Sequence, residues 1–522
     1  MKKVISVILS VLIILSVTPF VFAAGTTYYI DSGSGDDNNS GLSEGSAWKT
    51  VANIQSLTLE AGDKILFKSG GDYDCAITLT CSGTQEDPIV ISSYGEGEKP
   101  HLNTDARDAV MKLFDCSYVT VSGFEITAHN GGGIWVDGVT KESKGVRIEN
   151  CEFHDMQNYT VTSRDNYTEG PISGRAAIVI KRYGGSPYPV NDFQAINCKI
   201  YDVGNGIFFT GSQDLNKNAL VKNCEFYNMD GEAVVLEGCD GALVTHCRAI
   251  DCCQGVGLDE NGQILYFTAA MWTHYSSNCT FSYCEIAGQK NYGDGMTVDF
   301  DHGSYNCTYE YIYSHDNMRF MCNNPAAGGN WGNTVRYCLS VNDNQGRNKI
   351  GVADGEWNFS FYNNTIINSP EFQMTRIYDS LFANNIITFK DGHKFYFVNK
   401  ELKDSNNVFA NNCYYNTFNP SFDREALNTL PGFVGGDDPI KAYQLAEGSP
   451  LIGAGFEVED GLMTDFYGNE ITSTDIGCYS ADGEDAELET ENFIEKAARI
   501  IRQVFKIAVE EIRKLIVDLF DD

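Results

Sequence analysis

The stretch GDGMTVDFDHG, residues 293–303, sets three carboxylates, Asp294, Asp299 and Asp301, beside one imidazole, His302. Acids crowded into so short a run repel one another unless one keeps its proton or a cation sits among them. A retained proton is what a general acid requires, and a bound cation is what a calcium-assisted enzyme requires. Met296, Val298 and Phe300 alternate with Thr297, Asp299 and Asp301, which predicts a strand with the first set inward and the second outward. On such a strand Asp299 and Asp301 have Cα atoms about 6.6 Å apart on one face, so their carboxylates fall roughly 5 to 9 Å apart. That range suits the two acids of a glycosidase, retaining or inverting.

Earlier segments extend the acidic set. Val234 and Leu236 of EAVVLEG align with Val256 and Leu258 of GVGLDEN and with Met296 and Val298, which puts Glu237, Asp259 and Asp299 at equivalent outward positions. With about 4.8 Å between neighbouring strands, these carboxylates form a ladder joined at one end by Asp301. Asp299 and Asp301 are the candidate catalytic pair, with Asp259 and Glu237 in the same groove. Asp259, Asp299 and Asp301 are also the candidate calcium ligands. In YSHDNMRFMCNNP, Arg319 is expected outward beside Thr297, ready to bind a sugar hydroxyl or carboxylate, and His315 is either a second binding group or a turn residue. YFTAAMWTHYSSN is expected to be an extended loop that lays Trp272, His274 and Tyr275 over the sheet as a sugar-stacking wall, with Trp331 and Trp357 as further subsite candidates. The alternative is plain solvation on an acidic surface, since 71 Asp and Glu against 37 Lys and Arg give a net charge of −34.

The elements that must position these residues repeat along the chain. VRIENCEF, QAINCKI, LVKNCEF, LVTHCRA, CTFSYCEI, TVRYCLS, FSFYNNTI and SLFANNII follow one another at steps of 47, 26, 23, 37, 54, 26 and 21 residues, and YEYIYS near Ile312 divides the longest step. A period in the low-to-mid twenties marks a solenoid. Each unit alternates apolar and polar residues over a short strand, turns at an Asn-Cys corner and passes through Gly/Asn/Asp-rich turns to the next strand. No leucine repeat or helical segment accompanies it, so the fold class is an all-β, right-handed parallel β-helix. The 17 cysteines are an odd count, many of them close the repeated phrase and none forms a Cys-x-x-Cys pair, which points to small buried packing residues, with Cys75, Cys81 and the Cys252-Cys253 pair fitting this least.

Both ends of the chain differ from the repeats. Lys2 and Lys3, an apolar run from Val4 to Val17 and small residues before Ala24 predict a signal peptide over 1–23, hence a secreted, extracellular protein. The β-helix domain is expected over 24–480, followed by a polar linker, 481–487. In 488–522, Phe493, Ala497, Ile501, Val504, Ala508, Ile512, Leu515 and Leu519 recur at steps of three and four, an amphipathic helix with a basic polar face. Such a helix either attaches the protein to membrane or cell envelope, or caps the solenoid's open end.

YYIDSGSGDDNNSGLSEGSAWKTVANI, residues 28–54, and YQLAEGSPLIGAGFEVEDGLMTDFYGNEITSTDIGCYS, residues 443–480, resemble the opening and closing segments of secreted bacterial β-helix carbohydrate enzymes of the pectate-lyase-like superfamily. The resemblance implies the fold and a carbohydrate ligand. It leaves the reaction open, because that architecture hosts hydrolases, lyases and non-catalytic binders. Polygalacturonase-type Asn-Thr-Asp, Asp-Asp and Gly-His-Gly motifs are not recognisable in this chain. The loop from Asp31 to Asn39 offers oxygen ligands for calcium without EF-hand spacing, and a solvated turn is the simpler reading.

Charge orders the function classes. A polyuronate lyase needs a cationic base, for which Arg347 and Lys349 are available, and calcium to bring an anionic polymer to an anionic protein. A hydrolase of plant cell-wall polysaccharide needs only the carboxylates and an aromatic groove, and is the expected activity. A surface carbohydrate binder or adhesin using the groove alone is the non-enzymatic alternative. No basic stripe outside the terminal helix supports binding to nucleic acid.

Overall fold

The computed structural model describes residues 25–480, apart from positions 107, 130, 157–175, 181–186, 255–267, 291–294, 323–328, 344–349, 370–371, 390–394, 398–405, 418, 424 and 459–463. Short strands alternate with turns throughout, and every paired strand lies parallel to its neighbour in the next coil, the arrangement of a parallel β-helix. Two sheets run the length of the molecule: a 14-stranded sheet from Thr27–Ile30 to Val408–Ala410, and a 13-stranded sheet from Asp72–Asp74 to Cys413–Tyr415. The third face starts as a seven-stranded sheet, from Ile77–Leu79 to Met271–His274, and continues through the pair Met296–Val298 and Arg319–Met321 into a three-stranded sheet that begins at Ile350–Asp354. Parallel crossovers of this kind close with a right hand.

The repeated corner phrase has a clear physical role. Between the 14- and 13-stranded sheets, Asn150, Asn197, Asn223, Asn363, Asn384 and Asn411 sit at φ of 52–55°. Asparagine tolerates this left-handed conformation better than other side-chain-bearing residues. Stacked amides link successive corners: Asn197 Nδ2 donates to Asn150 Oδ1 at 3.3 Å, and Asn223 Nδ2 to Asn197 Oδ1 at 3.1 Å. In the middle coils rings take over, with Tyr283 and Tyr311 stacked at 4.6 Å. The next residue points inward and is Cys151, Cys198, Cys224, Cys247 and Cys284 in successive coils, then Asn364, Asn385 and Asn412 near the end. Sixteen of the 17 cysteines are buried and Cys322 is partly buried, as expected for packing residues.

Inward residues such as Phe153, Phe226, Phe281, Tyr309 and Phe361 fill the bore. Each buried side chain of this size contributes about 1.5–3 kcal/mol, so the stack of coils carries the fold. The closing segment folds back along the last coils: Asn363 Nδ2 donates to Asp475 O at 2.9 Å and Gly477 O at 3.0 Å, while Leu445, Leu451 and Ile476 cover Ile386 and Cys413. In the opening loop, Asp31, Asp36 and Asp37 accept hydrogen bonds from N–H and hydroxyl groups of the same segment, as turn residues do. Residues 1–23 and 481–522, where the leader, linker and terminal helix are expected, lie outside the described residues, which contain no α-helix.

Candidate active site

On the third face, Ile134, Ile178, Ile207, Val234 and Met271 stack into the core, and so do Val136, Ile180, Phe209, Leu236, Thr273 and Phe300. Strand alternation turns the intervening residues outward in two columns. One runs Trp135, Val179, Phe208, Val235, Trp272 and reaches Asp299. The other ends Thr210, Glu237, His274, Asp301, because Glu237 pairs with His274 and Thr273 bridges to Phe300. Most of this outer surface is covered, and Asp137, Thr210, Val179 and Val235 are buried. It opens at Glu237, His274, Asp301 and His302, which are all partly exposed.

Here two carboxyls face each other across an imidazole. His274 Nδ1 lies 3.7 Å from Glu237 Oε2, and the His274 and His302 rings are 5.8 Å apart. His302 Nε2 is 3.5 Å from Asp301 Oδ1, and the His302 backbone N–H donates to the same oxygen at 2.8 Å. Burial pushes the Asp301 carboxyl up from its ordinary value, against the lowering effects of that N–H and of the two imidazoles. A carboxyl that keeps its proton to higher pH, beside a second carboxyl two strands away, is the equipment of acid–base catalysis.

The strand under Asp301 is held by buried polar groups. Thr297 Oγ1 and Ser314 Oγ share a hydrogen bond of 2.6 Å, and Asn317 Nδ2 donates to Thr297 Oγ1 at 3.0 Å. Ser314 and Ser340 donate to Asp343 Oδ2 at 2.5 and 2.7 Å, and the Asn317 N–H donates to Asp343 Oδ1 at 3.0 Å. Asp343 is fully enclosed, and burial raises its carboxyl to about 6 although these donors favour the charged form.

The register corrects the ladder expected from the sequence. Glu237 is followed by His274 and then Asp301, rather than by Asp259 and Asp299. Met271–His274 closes the coil above Val234–Glu237, so Trp272 and His274 belong to the sheet itself and are not on an overlying loop. Asp259, Asp294, Arg347 and Lys349 fall outside the described residues. Asp299 neighbours Trp272 and is only 6% exposed, one strand step from the more open Asp301. Arg319 registers with Met296, not Thr297, and is largely buried with Nη1 3.3 Å from Cys322 Sγ, so it does not reach the opening.

His315 lies on the 13-stranded sheet, away from this face, held by Glu285 and Asp316. Among the described residues no three His, Cys, Asp or Glu side chains cluster to hold a metal, including Asp299 and Asp301. The sequence reading missed Trp135 and Phe208. Their signal was present, since GGIWVDG and NGIFFTG share the spacing of EAVVLEG.

A family model described as a right-handed β-helix region matches residues 184–328, which include this opening. A lacto-N-biosidase of Bifidobacterium longum subsp. longum is 25% identical over 598 aligned positions, covering 88% of this chain and 36% of that protein. The chain thus spans about a third of the curated relative's length. The crystal structure of a GH136 lacto-N-biosidase from Eubacterium ramulus superposes with a TM-score of 0.53 at 18% identity, over 71% of this chain and 67% of that one. Its native crystal gives 0.52 at the same identity. The chain is a right-handed parallel β-helix.

Proposed function

We propose that the protein is a glycoside hydrolase that cleaves its substrate over Glu237, His274 and Asp301. The observation that carries this reading is the Asp301 carboxyl, raised by burial and set two strands from Glu237 with His274 between them. Two strand spacings give about 9.6 Å between the Cα atoms of the two acids, room for a glycosidic oxygen with a carboxyl on either side. Asp301 donates its proton to the leaving oxygen. Glu237 activates water or attacks the anomeric carbon, and His274 keeps its side chain oriented. Trp272 lies beside the opening, where an aromatic surface can support a sugar ring. Similarity to a lacto-N-biosidase makes a lacto-N-bioside the first substrate to offer, and plant cell-wall polysaccharide the second.

The test is a glycan panel containing both, run with and without chelator. Release of reducing sugar without ultraviolet-absorbing unsaturated product is expected, and it distinguishes hydrolysis from lyase chemistry. Asp301→Asn and Glu237→Gln should each lower kcat by about 10²–10⁴-fold with unchanged far-ultraviolet circular dichroism. If Asp299→Asn abolishes activity while Glu237→Gln leaves it intact, the working pair is Asp299 and Asp301 and the pairing proposed above is wrong.

A further inference from the structure

Beyond the opening, on the turn that follows Asp301, the outer surface carries a run of aromatic rings. Tyr305 bridges to Trp331, Trp331 pairs with Trp357, and Trp357 bridges to Tyr378, one ring on each of four consecutive coils. Exposure is unusually high for such side chains: 38% at Tyr305, 49% at Trp331 and 38% at Trp357. Tyr275 lies against the acidic cluster, its ring 4.3 Å from that of His274 and its N–H bonded to His302 O at 2.7 Å. It precedes by two residues Ser277, which bridges to Tyr305, so the column from Tyr305 to Tyr378 begins on the coil that carries Asp301.

The strip is braced from beneath. Asn330 Nδ2 and Asn333 Nδ2 donate to the two oxygens of buried Glu356 at 3.1 and 3.2 Å, and Asn330 Oδ1 accepts the Ser304 N–H at 3.2 Å. These bonds tie together the coils that carry Tyr305, Trp331 and Trp357. Two rings rest on glycines that have no room for a side chain. A Cβ on Gly329 would meet Trp357 Cδ1 at 2.9 Å, and one on Gly303 would meet Tyr275 Cδ1 at 2.8 Å. Both glycines also have φ above 70°, where other residues are strained. Trp357 and Tyr378 stack at 4.5 Å, which fixes that end. Exposed apolar surface held this rigidly is a mark of a recognition surface, because little freedom is left to lose on binding.

We propose that Tyr305, Trp331, Trp357 and Tyr378 form a run of subsites for a neutral oligosaccharide chain extending from the cleaved linkage along the helix axis. This rests on the hydrolase reading for its starting point. Three coil spacings give about 14 Å, room for a segment of about three sugar rings. Aromatic rings match the apolar C–H faces of sugars, while a net charge of −34 and the neighbouring carboxylates disfavour an anionic polymer.

The test uses oligosaccharides that carry a terminal lacto-N-biose unit followed by one to five further neutral sugars. Titration calorimetry is done on the full chain bearing Asp301→Asn, so that binding is read without cleavage. Affinity should rise about tenfold or more over the first three added sugars, and Trp331→Ala with Trp357→Ala should remove that gain. The corresponding Phe variants should restore most of it. In the cleaving protein, the same Ala pair should raise KM for long chains more than for the shortest. Length-independent binding by the parent protein, or length dependence that survives the Ala pair, overturns the subsites. Ring-dependent binding without any cleavage keeps the subsites and overturns the hydrolase reading instead.

Discussion

Asp343 offers the sharpest physical test of the architecture beneath the site. Its carboxyl is enclosed, bonded to Ser314, Ser340 and Asn317, and raised to about 6 by burial. An ordinary unfolded aspartate titrates near 3.9, so the folded state favours the neutral form by about 3 kcal/mol. The sign follows from linkage. With the folded value above the unfolded one, the contribution is complete below about pH 3.9 and is lost as pH rises through about 6. Asp343→Asn keeps the shape and abolishes the titration. Its stability relative to the parent protein should therefore improve by about 2.4 kcal/mol between about pH 4 and about pH 8, whatever its absolute value.

Urea denaturation of both proteins at both pH values measures this, and the double difference cancels every other titrating group. Equal m-values would confirm that both unfold over the same surface. A difference that stays constant with pH, or that moves in the parent's favour, would show that Asp343 is charged in the folded protein. Its three donors would then outweigh burial.

Two further outcomes follow from other parts of the solenoid. His315 and Arg248 hold the Glu285 carboxyl down at about 2 against burial, and the Glu285 and Asp316 carboxylates outweigh burial to hold the His315 imidazole up. Glu285→Gln should lower the His315 value, read by NMR titration, and should leave glycan cleavage unchanged because His315 is on another sheet. Because the Glu285 folded value lies below the unfolded one, its stabilisation is present above about pH 4.3 and is lost as pH falls toward about 2, so the variant should lose less on acidification. Asn385 donates through Nδ2 to Phe361 O and Asn412 Oδ1 and accepts from the Asn364 N–H and Nδ2 at 2.9–3.0 Å. Asn385→Ala strands buried donors at about 1–3 kcal/mol each, and a lower urea midpoint with unchanged m-value is the expected result.

Much of this molecule is local. The corner phrase is legible because a left-handed residue followed by a small inward one has a narrow choice of side chains, so Asn150-Cys151 and Asn223-Cys224 mark coils without any knowledge of the rest. Alternation in the segment around Asp301 gives Val298 and Phe300, which are in the core, but fails at Thr297, expected outward and instead fully buried against Ser314 and Asn317 because its hydroxyl completes their hydrogen bonds. Trp331 and Trp357 stood out as isolated tryptophans, although the steps of 26, 26 and 21 residues from Tyr305 through Trp331 and Trp357 to Tyr378 match the coil period and already marked the column they share.

What the sequence alone determined is the solenoid: its period, its corners, and the burial of its thiols all follow from short-range steric and apolar preferences. Which side chains meet across coils at the candidate site was decided only by the tertiary structure. Between the strands ending at Ile250 and beginning at Glu285, both the 256–258 segment and Met271–His274 carry a pattern able to continue the third face. Only one strand can accept the single row of backbone hydrogen bonds that Val234–Glu237 offers on that side, and Met271–His274 takes it. That choice of rung sets Glu237 beside His274 and Asp301. It depends on how a long excursion closes in space, which no short-range pattern encodes.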